Sequence, residues 1–151
     1  MRLRSVTISA CAAAATALCT GTALAAGAVA GATYRGTLSA LPSKVPISFR
    51  VSPDGRQVVA IGLGQLPIYC GGSGPPAAKI AFRAAPISAS GTFTAQGRDT
   101  IAVGPLKGTA VATLTLTGTF SAGRRESGVV STHFAGSGSK CGGHSPYTTK
   151  A

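Results

Sequence analysis

Apolar and polar residues alternate along much of the chain, and the alternation is longest and cleanest between residues 108 and 121. From 109 to 119 the odd-numbered positions are threonine, apart from Val111. The even-numbered positions of the same stretch are small or apolar: Ala110, Ala112, Leu114, Leu116, Gly118 and Phe120. Successive side chains of a strand point to opposite faces of a sheet, so the stretch is predicted to be a β-strand with one buried face.

The same alternation recurs in shorter form and predicts seven further strands: 33–40, 45–52, 57–66, 78–84, 91–96, 127–135 and 146–149. We expect residues 97–107 to form a long connection, because the alternation weakens there. Between the second and third strands, Pro53 fixes φ, Asp54 supplies a turn-forming side chain and Gly55 tolerates positive φ. This combination predicts a tight hairpin turn.

Glycine and proline recur between these segments at a spacing typical of antiparallel all-β domains. The predicted fold class is therefore all-β, an antiparallel meander of about eight strands that packs as a β-sandwich or closes as a small barrel. Closure would bring the first strand to the last. In that case we expect Tyr34 to lie near Tyr147.

The N-terminal stretch has the composition of a targeting segment. Two arginines are followed by a run of small and apolar residues, and the next charge is Arg35. A short Ala-Leu-Ala motif predicts a signal peptide at 1–25 and a single mature domain at 26–151. The run could also serve as a membrane anchor, and Cys11 follows a small residue as in a lipoprotein, so both alternatives stay open. We expect a secreted protein, extracellular or associated with the cell envelope, with no transmembrane segment in the mature chain.

The predicted mature chain keeps Cys70 and Cys141. Outside the reducing cytosol two such thiols are expected to form a disulfide bond. Closing a loop of about 70 residues would stabilise the fold by roughly 4 kcal/mol in the chain-entropy model. The alternative is two free thiols, but nothing around either cysteine indicates the lowered pKa of a reactive one.

The charge balance points to anionic partners. The formal net charge is +11, and removal of the leader with its two arginines leaves +9. Four basic residues fall on predicted outward positions and define a candidate basic surface: Arg35, Arg50, Lys79 and Arg83. Such a surface attracts polyanions, although the same charges would also keep an alanine-rich and threonine-rich sheet soluble.

Residues able to carry acid, base or metal chemistry are few: Asp54, Asp99, Glu126, His133 and His144. Asp54 is explained by its turn, and Glu126 is expected to lie in another turn beside Arg124 and Arg125. No nucleophile motif and no second pair of metal ligands accompanies the histidines, and no dedicated nucleic-acid motif is present. We therefore predict no catalytic site, no metal and no cofactor.

Three short segments carry a resemblance to known proteins. Residues 34–37 (Tyr-Arg-Gly-Thr), 46–55 and 118–120, together with the two cysteines, resemble small exported β proteins of high-GC, actinobacterial-type bacteria. That group has no known activity. The resemblance implies an all-β fold and export, and it transfers no site residue.

The leading functional hypothesis is a non-catalytic exported protein that associates with anionic cell-envelope polymers or with another extracellular protein. The alternative is a carrier for a small apolar ligand, with a pocket between the β layers. Its walls would be formed by Ile47, Phe49, Phe82, Leu114, Leu116 and Phe120.

Overall fold

A computed structural model describes residues 27–39, 44–64, 80–103, 108–122, 124–136 and 139–151, without the side chains of 101–103, 108–110, 136 and 139–141. This part of the chain is all-β. Its eight strands are β1 (Thr33–Leu38), β2 (Val45–Val51), β3 (Gln57–Leu63), β4 (Ala85–Pro86), β5 (Thr92–Val103), β6 (Gly108–Ser121), β7 (Arg125–Gly136) and β8 (Ser139–Lys150).

All strand pairs are antiparallel and form one sheet with the order β4-β3-β2-β1-β8-β7-β6-β5. The first strand pairs with the last, so the meander curls round on itself. Its two outer strands meet through isolated bridges on either side of β4, from Phe82 to Gly97 and from Ile87 to Phe93. The predicted meander is confirmed, and it forms a nearly closed barrel-like sheet.

The inward face of the sheet forms the hydrophobic core. Four aromatic rings fill one end of it. The ring centroids of the stacked pair Tyr34 and Phe49 are 5.3 Å apart, and those of Phe93 and Phe120 are 5.6 Å apart. The short segment 27–32 lies at this end, where the Gly31 N–H donates to the Ser52 carbonyl. Burial of these rings supplies much of the stabilisation of a small barrel, because each aromatic side chain removes a large apolar area from water.

The strand predictions are confirmed where alternation is clean. In β6 the even-numbered side chains from Ala112 to Phe120 face inward and the threonines face outward, as expected. The turn at 53–56 is also present, and Gly55 has a φ of 73°. The alternation of hydrophobicity is therefore sufficient to place the central strands and the β2–β3 hairpin.

Three segment predictions are wrong. Residues 97–103 continue β5 and pair with β6 as far as Val103 opposite Gly108, because backbone pairing needs no apolar alternation. The fourth strand is Ala85–Pro86, and in the described part of the predicted segment, residues 80–84, Phe82 makes an isolated bridge and no strand is formed. The last strand begins at Ser139, well before the predicted start.

The expected neighbourhood of the two tyrosines needs a correction as well. Strands β1 and β8 do pair, but Tyr147 lies opposite Leu38. The hydroxyl of Tyr34 instead accepts a hydrogen bond from the Val29 N–H at 3.2 Å. The two tyrosines therefore belong to different polar contacts.

No helix long and apolar enough to cross a bilayer is found among the described residues. Cys70 lies outside the described residues. Cys141 lies within β8, opposite Phe134, but the structure does not describe its side chain. The disulfide stays a prediction, as do the signal peptide and its cleavage site.

Candidate functional site

Four cationic residues form a continuous row across the outer face of the sheet, and we call this set the basic row: Arg50 on β2, Arg35 on β1, Lys150 on β8 and Arg125 on β7. Lys150 lies opposite both Arg35 and Arg125. Arg50 lies opposite Thr33 and is therefore diagonal to Arg35. All four side chains are exposed, because their inward neighbours in sequence are buried and the faces of a strand alternate.

A cleft of about 420 Å³ lies along part of the basic row. Arg35, Arg125 and Lys150 line it, and the exposed hydroxyl-bearing residues around them are Ser121, Ser127 and Thr148. Cationic groups surrounded by hydroxyl donors are the chemistry that holds phosphate, sulfate or carboxylate groups. The cleft is therefore suited to an anion.

The carboxylates of the chain are committed elsewhere. Asp54 accepts hydrogen bonds from the Ser52 hydroxyl at 2.5 Å and from the Arg56 N–H at 3.1 Å, and these bonds lower the pKa of Asp54. Asp99 accepts from the Thr100 N–H at 2.7 Å. The third carboxylate, Glu126, lies on the inward face of the sheet. In the described part of the chain none of these three carboxylates accepts a hydrogen bond from a side chain of the basic row.

Glu126 is the unexpected residue of the structure. It is 1% exposed, and its two oxygens contact two hydroxyls of β8, with Tyr147 Oη 2.6 Å from Oε1 and Thr149 Oγ1 2.7 Å from Oε2. Two glycines make the space for it. A methyl group on Gly118 would collide with Glu126 Oε1 and with the Phe93 ring, and one on Gly128 would lie 2.6 Å from the Tyr147 oxygen.

The hydrogen bonds around Glu126 depend on its proton. Tyr147 Oη lies 2.6 Å from Glu126 Oε1 and 3.1 Å from the Thr117 carbonyl oxygen, and a phenol carries a single proton for two acceptors. Both contacts are satisfied when protonated Glu126 donates to Tyr147 and Tyr147 donates to Thr117. Burial raises the pKa of Glu126 to about 7, against the smaller opposing effect of the hydrogen bonds from Tyr147 and Thr149. Burial and the neighbouring Glu126 also raise the pKa of Tyr147.

Two cations of the basic row lie on the strands that carry the buried acid and its hydroxyl partners. Arg125 precedes Glu126 on β7, and Lys150 follows Thr149 on β8. Each of these cations is therefore the sequence neighbour of Glu126 or of its hydrogen-bond partner Thr149. The cations of the cleft and the buried carboxyl group therefore lie on opposite faces of the same two strands.

The predicted basic surface is found only in part. Arg35 and Arg50 are exposed diagonal neighbours on the outer face, as expected. Arg83 lies away from them, beside β5, where it lines a second cleft of about 350 Å³ together with Arg98. Lys79 lies outside the described residues. Arg83 is separated from Arg35 and Arg50 because residues 80–84 do not continue the sheet as a strand.

Sequence reasoning missed Lys150 and Arg125. Their place in the row depends on the register of β1 with β8 and of β8 with β7, and a single sequence does not encode register between distant strands directly. Glu126 was expected in a turn and is instead in β7. The parity of the strand could have revealed it, because Glu126 shares the inward positions of Gly128 and Val130.

The histidines lie together on the outer face of β7 and β8. Ser131 Oγ is 2.9 Å from His144 Nδ1. These two residues and His133 line a third cleft of about 330 Å³. Ser131 and His144 are directly opposite each other in the register. No group of three residues with metal-ligating side chains occurs in the described part of the chain. The pair is a cross-strand hydrogen bond of the kind that stabilises sheets.

The side chains expected to line an apolar carrier pocket face the interior. Phe82 is partly buried. The other five are buried: Ile47, Phe49, Leu114, Leu116 and Phe120. The Phe49 and Phe120 rings lie 6.0 Å apart, in direct contact across the core. The clefts described above are lined mainly by polar residues and not by this set. The carrier hypothesis stays a prediction.

Comparison with protein families, with curated proteins and with solved structures found no match for this chain, so the resemblance to exported bacterial β proteins stays a prediction and the function is inferred from geometry.

Proposed function

We propose that this is an exported, non-catalytic protein that binds anionic polymers of the cell envelope through the basic row. The observation that carries the proposal is the placement of Arg50, Arg35, Lys150 and Arg125 on four neighbouring strands of one face. Three of these residues also line a cleft rich in hydroxyl groups.

Like charges on directly opposite residues of neighbouring strands destabilise a sheet. The pairs Arg35–Lys150 and Lys150–Arg125 both have this arrangement. An anion that contacts two of these cations at once would offset their repulsion. We infer that the repulsion is tolerated because the bound state relieves it.

The length of the row favours a polymer over a single small anion. Neighbouring strands lie about 4.8 Å apart, so four strands place the outer cations roughly 15 Å from each other. A chain of regularly spaced phosphate or carboxylate groups can contact all four cations, whereas one phosphate contacts two or three. The hydroxyls of Ser127 and Thr148 form the next outward row, beside Arg125 and Lys150, and can donate further hydrogen bonds.

The test compares two double variants with the same loss of charge. Arg35→Gln with Lys150→Gln removes two cations of the basic row, and Arg83→Gln with Arg98→Gln removes two that lie together elsewhere. Binding of the exported protein to isolated cell envelopes and to polyphosphate is measured from about 50 to 300 mM salt. We expect the first variant to bind at least about tenfold more weakly and the second to bind within about twofold of the wild type.

The salt dependence provides a second readout. Each lost contact to a flexible polyanion is expected to lower the slope of log affinity against log salt by about 0.7, so the row variant should lose about 1.4. Equal weakening of both variants would show that net charge alone drives binding. Salt-insensitive binding to envelopes would instead indicate a protein partner and contradict the proposal.

A further inference from the structure

We propose that protonation of Glu126 controls the affinity of the basic row for anions, so that anion binding is coupled to proton uptake. This inference rests on the proposed function. Its structural basis is the alternation of two strands, in which the inward residues Glu126 and Thr149 lie between the cleft-lining pairs Arg125–Ser127 and Thr148–Lys150. The carboxyl group itself points to the inward face, so its charge acts on an anion in the cleft across the thickness of the sheet.

The sign of the coupling follows from charge. An ionised Glu126 repels an anion in the cleft and partly neutralises Arg125 and Lys150, whereas a protonated Glu126 does neither. Anion binding should therefore be tighter with the proton in place. By reciprocity, a bound anion must hold that proton more tightly by the same factor.

The surroundings of Glu126 contain few other groups that titrate. From its own strand and from β8 and β1 come the cations Arg125, Lys150 and Arg35, all on the outer face. From β8 also come the two hydroxyls of Tyr147 and Thr149. The neighbouring strands β6 and β5 contribute Gly118, the Thr117 carbonyl and Phe93, none of which titrates. A change of charge between mildly acidic and mildly basic pH is thus confined to Glu126 within this cluster.

The hydrogen bonds supply the structural link between the buried and exposed faces. When Glu126 loses its proton, the single hydroxyl proton of Tyr147 can be donated either to Glu126 or to the Thr117 carbonyl, but not fully to both. Loss of the proton also changes the bond to Thr149, which precedes Lys150 in the same strand. The protonation state of Glu126 therefore changes the hydrogen bonds of β8, the strand that carries Lys150.

The experiment measures binding of the full exported chain to dextran sulfate, whose charges do not titrate between pH 5.5 and 8.5, at fixed salt. The wild type is expected to bind about tenfold more weakly at pH 8.5 than at pH 5.5, within the usual range of coupling between sites. Glu126→Gln keeps the shape of the carboxyl group and is expected to bind with the same affinity at both pH values. A His133→Gln, His144→Gln variant serves as the control and should keep the wild-type pH dependence.

A second variant guards against a Glu126→Gln protein that fails to fold. Thr149→Val removes a hydrogen bond that lowers the pKa of Glu126, so the midpoint of the pH dependence should move to higher pH. Calorimetry in two buffers of different ionisation enthalpy should also show proton uptake by the wild type on binding near pH 7.

The outcomes separate the two proposals. Absence of binding to dextran sulfate at both pH values would overturn the proposed function and this inference with it. Wild-type binding that is equally tight at both pH values, or a pH dependence that survives in Glu126→Gln and does not move in Thr149→Val, would overturn only the coupling to Glu126.

Discussion

Gly118 lies directly opposite Gly128 across the β6–β7 ladder, and the missing side chains of this pair create the space that holds a buried carboxyl group and a phenol. Gly128 in turn lies opposite Tyr147 on β8. The same row of the sheet therefore contains the two small residues and one of the large side chains that they accommodate. A side chain at Gly118 would collide with Glu126 and Phe93, and one at Gly128 would collide with the Thr117 carbonyl and the Tyr147 hydroxyl, so both positions require glycine.

Gly118→Ala tests whether that space is required. The added methyl group would collide with Glu126 Oε1 and with the Phe93 ring, so we expect the free energy of unfolding to fall by about 2 to 3 kcal/mol in urea titrations. Gly143→Ala is the matched control, since its methyl group would meet Thr132 Oγ1 at an ordinary 3.6 Å. Similar losses in both variants would show that strand glycines matter here for reasons other than the Glu126 site.

The stability of the fold should depend on pH through Glu126. Its pKa is raised from 4.5 to about 7, so the folded state holds the proton more tightly than the unfolded chain. The resulting stabilisation is fully present below pH 4.5 and is lost as the pH rises to about 7. Between these values the free energy of unfolding should fall by about 3 kcal/mol relative to Glu126→Gln. If the stability of the wild type and of Glu126→Gln changed with pH in parallel, the burial of this carboxyl group would be contradicted.

Removal of the Tyr147 hydroxyl should weaken the fold and shift the titration of Glu126. Tyr147→Phe leaves Glu126 with Thr149 as its remaining hydroxyl partner, and we expect a loss of about 1 to 3 kcal/mol together with a higher pKa of Glu126. Tyr34→Phe is the control because that tyrosine is equally buried, but among the described residues its hydroxyl has one partner, the Val29 N–H. Carboxyl carbon NMR would follow the titration, and an unchanged Glu126 pKa in Tyr147→Phe would refute the hydrogen-bonded pair.

The junction between β4 and β5 should open before the rest of the barrel. Strand β4 has two residues, and the junction has the isolated bridges Phe82–Gly97 and Ile87–Phe93 in place of a ladder. By contrast, β6 and β7 form a ladder of eleven residue pairs. Native-state hydrogen exchange should show the amides of 82–87 exchanging at a lower free energy than those of β6 and β7. Uniform protection around the barrel would contradict this weak junction.

The fold could be predicted from the sequence wherever side chains alternate in hydrophobicity. Strand β6 needs no tertiary information, because threonine and small or apolar residues alternate over most of its length. The end of β5 and the start of β8 could not be found in this way. Polar residues and glycines interrupt the pattern there, and the strands are held by backbone hydrogen bonds that are independent of side-chain type.

For a related reason, only two of the four cations of the basic row could be predicted from the sequence. Arg35 and Arg50 lie on strands joined by a short connection, so alternation alone places them on one outward face. Lys150 joins them through pairing of the first strand with the last, more than one hundred residues away. Glu126 differs, because its inward parity was readable, but a carboxylate is seldom expected in an apolar core.

The most direct test of polyanion binding by the basic row is an NMR titration that follows arginine side-chain N–H and lysine ammonium signals as polyphosphate is added. We predict that the signals of Arg35, Arg50, Arg125 and Lys150 shift first and by the largest amount, whereas those of Arg83 and Arg98 stay near their starting positions. Equal shifts of all the cations, or shifts that begin at Arg83 and Arg98, would contradict the assignment of binding to this row.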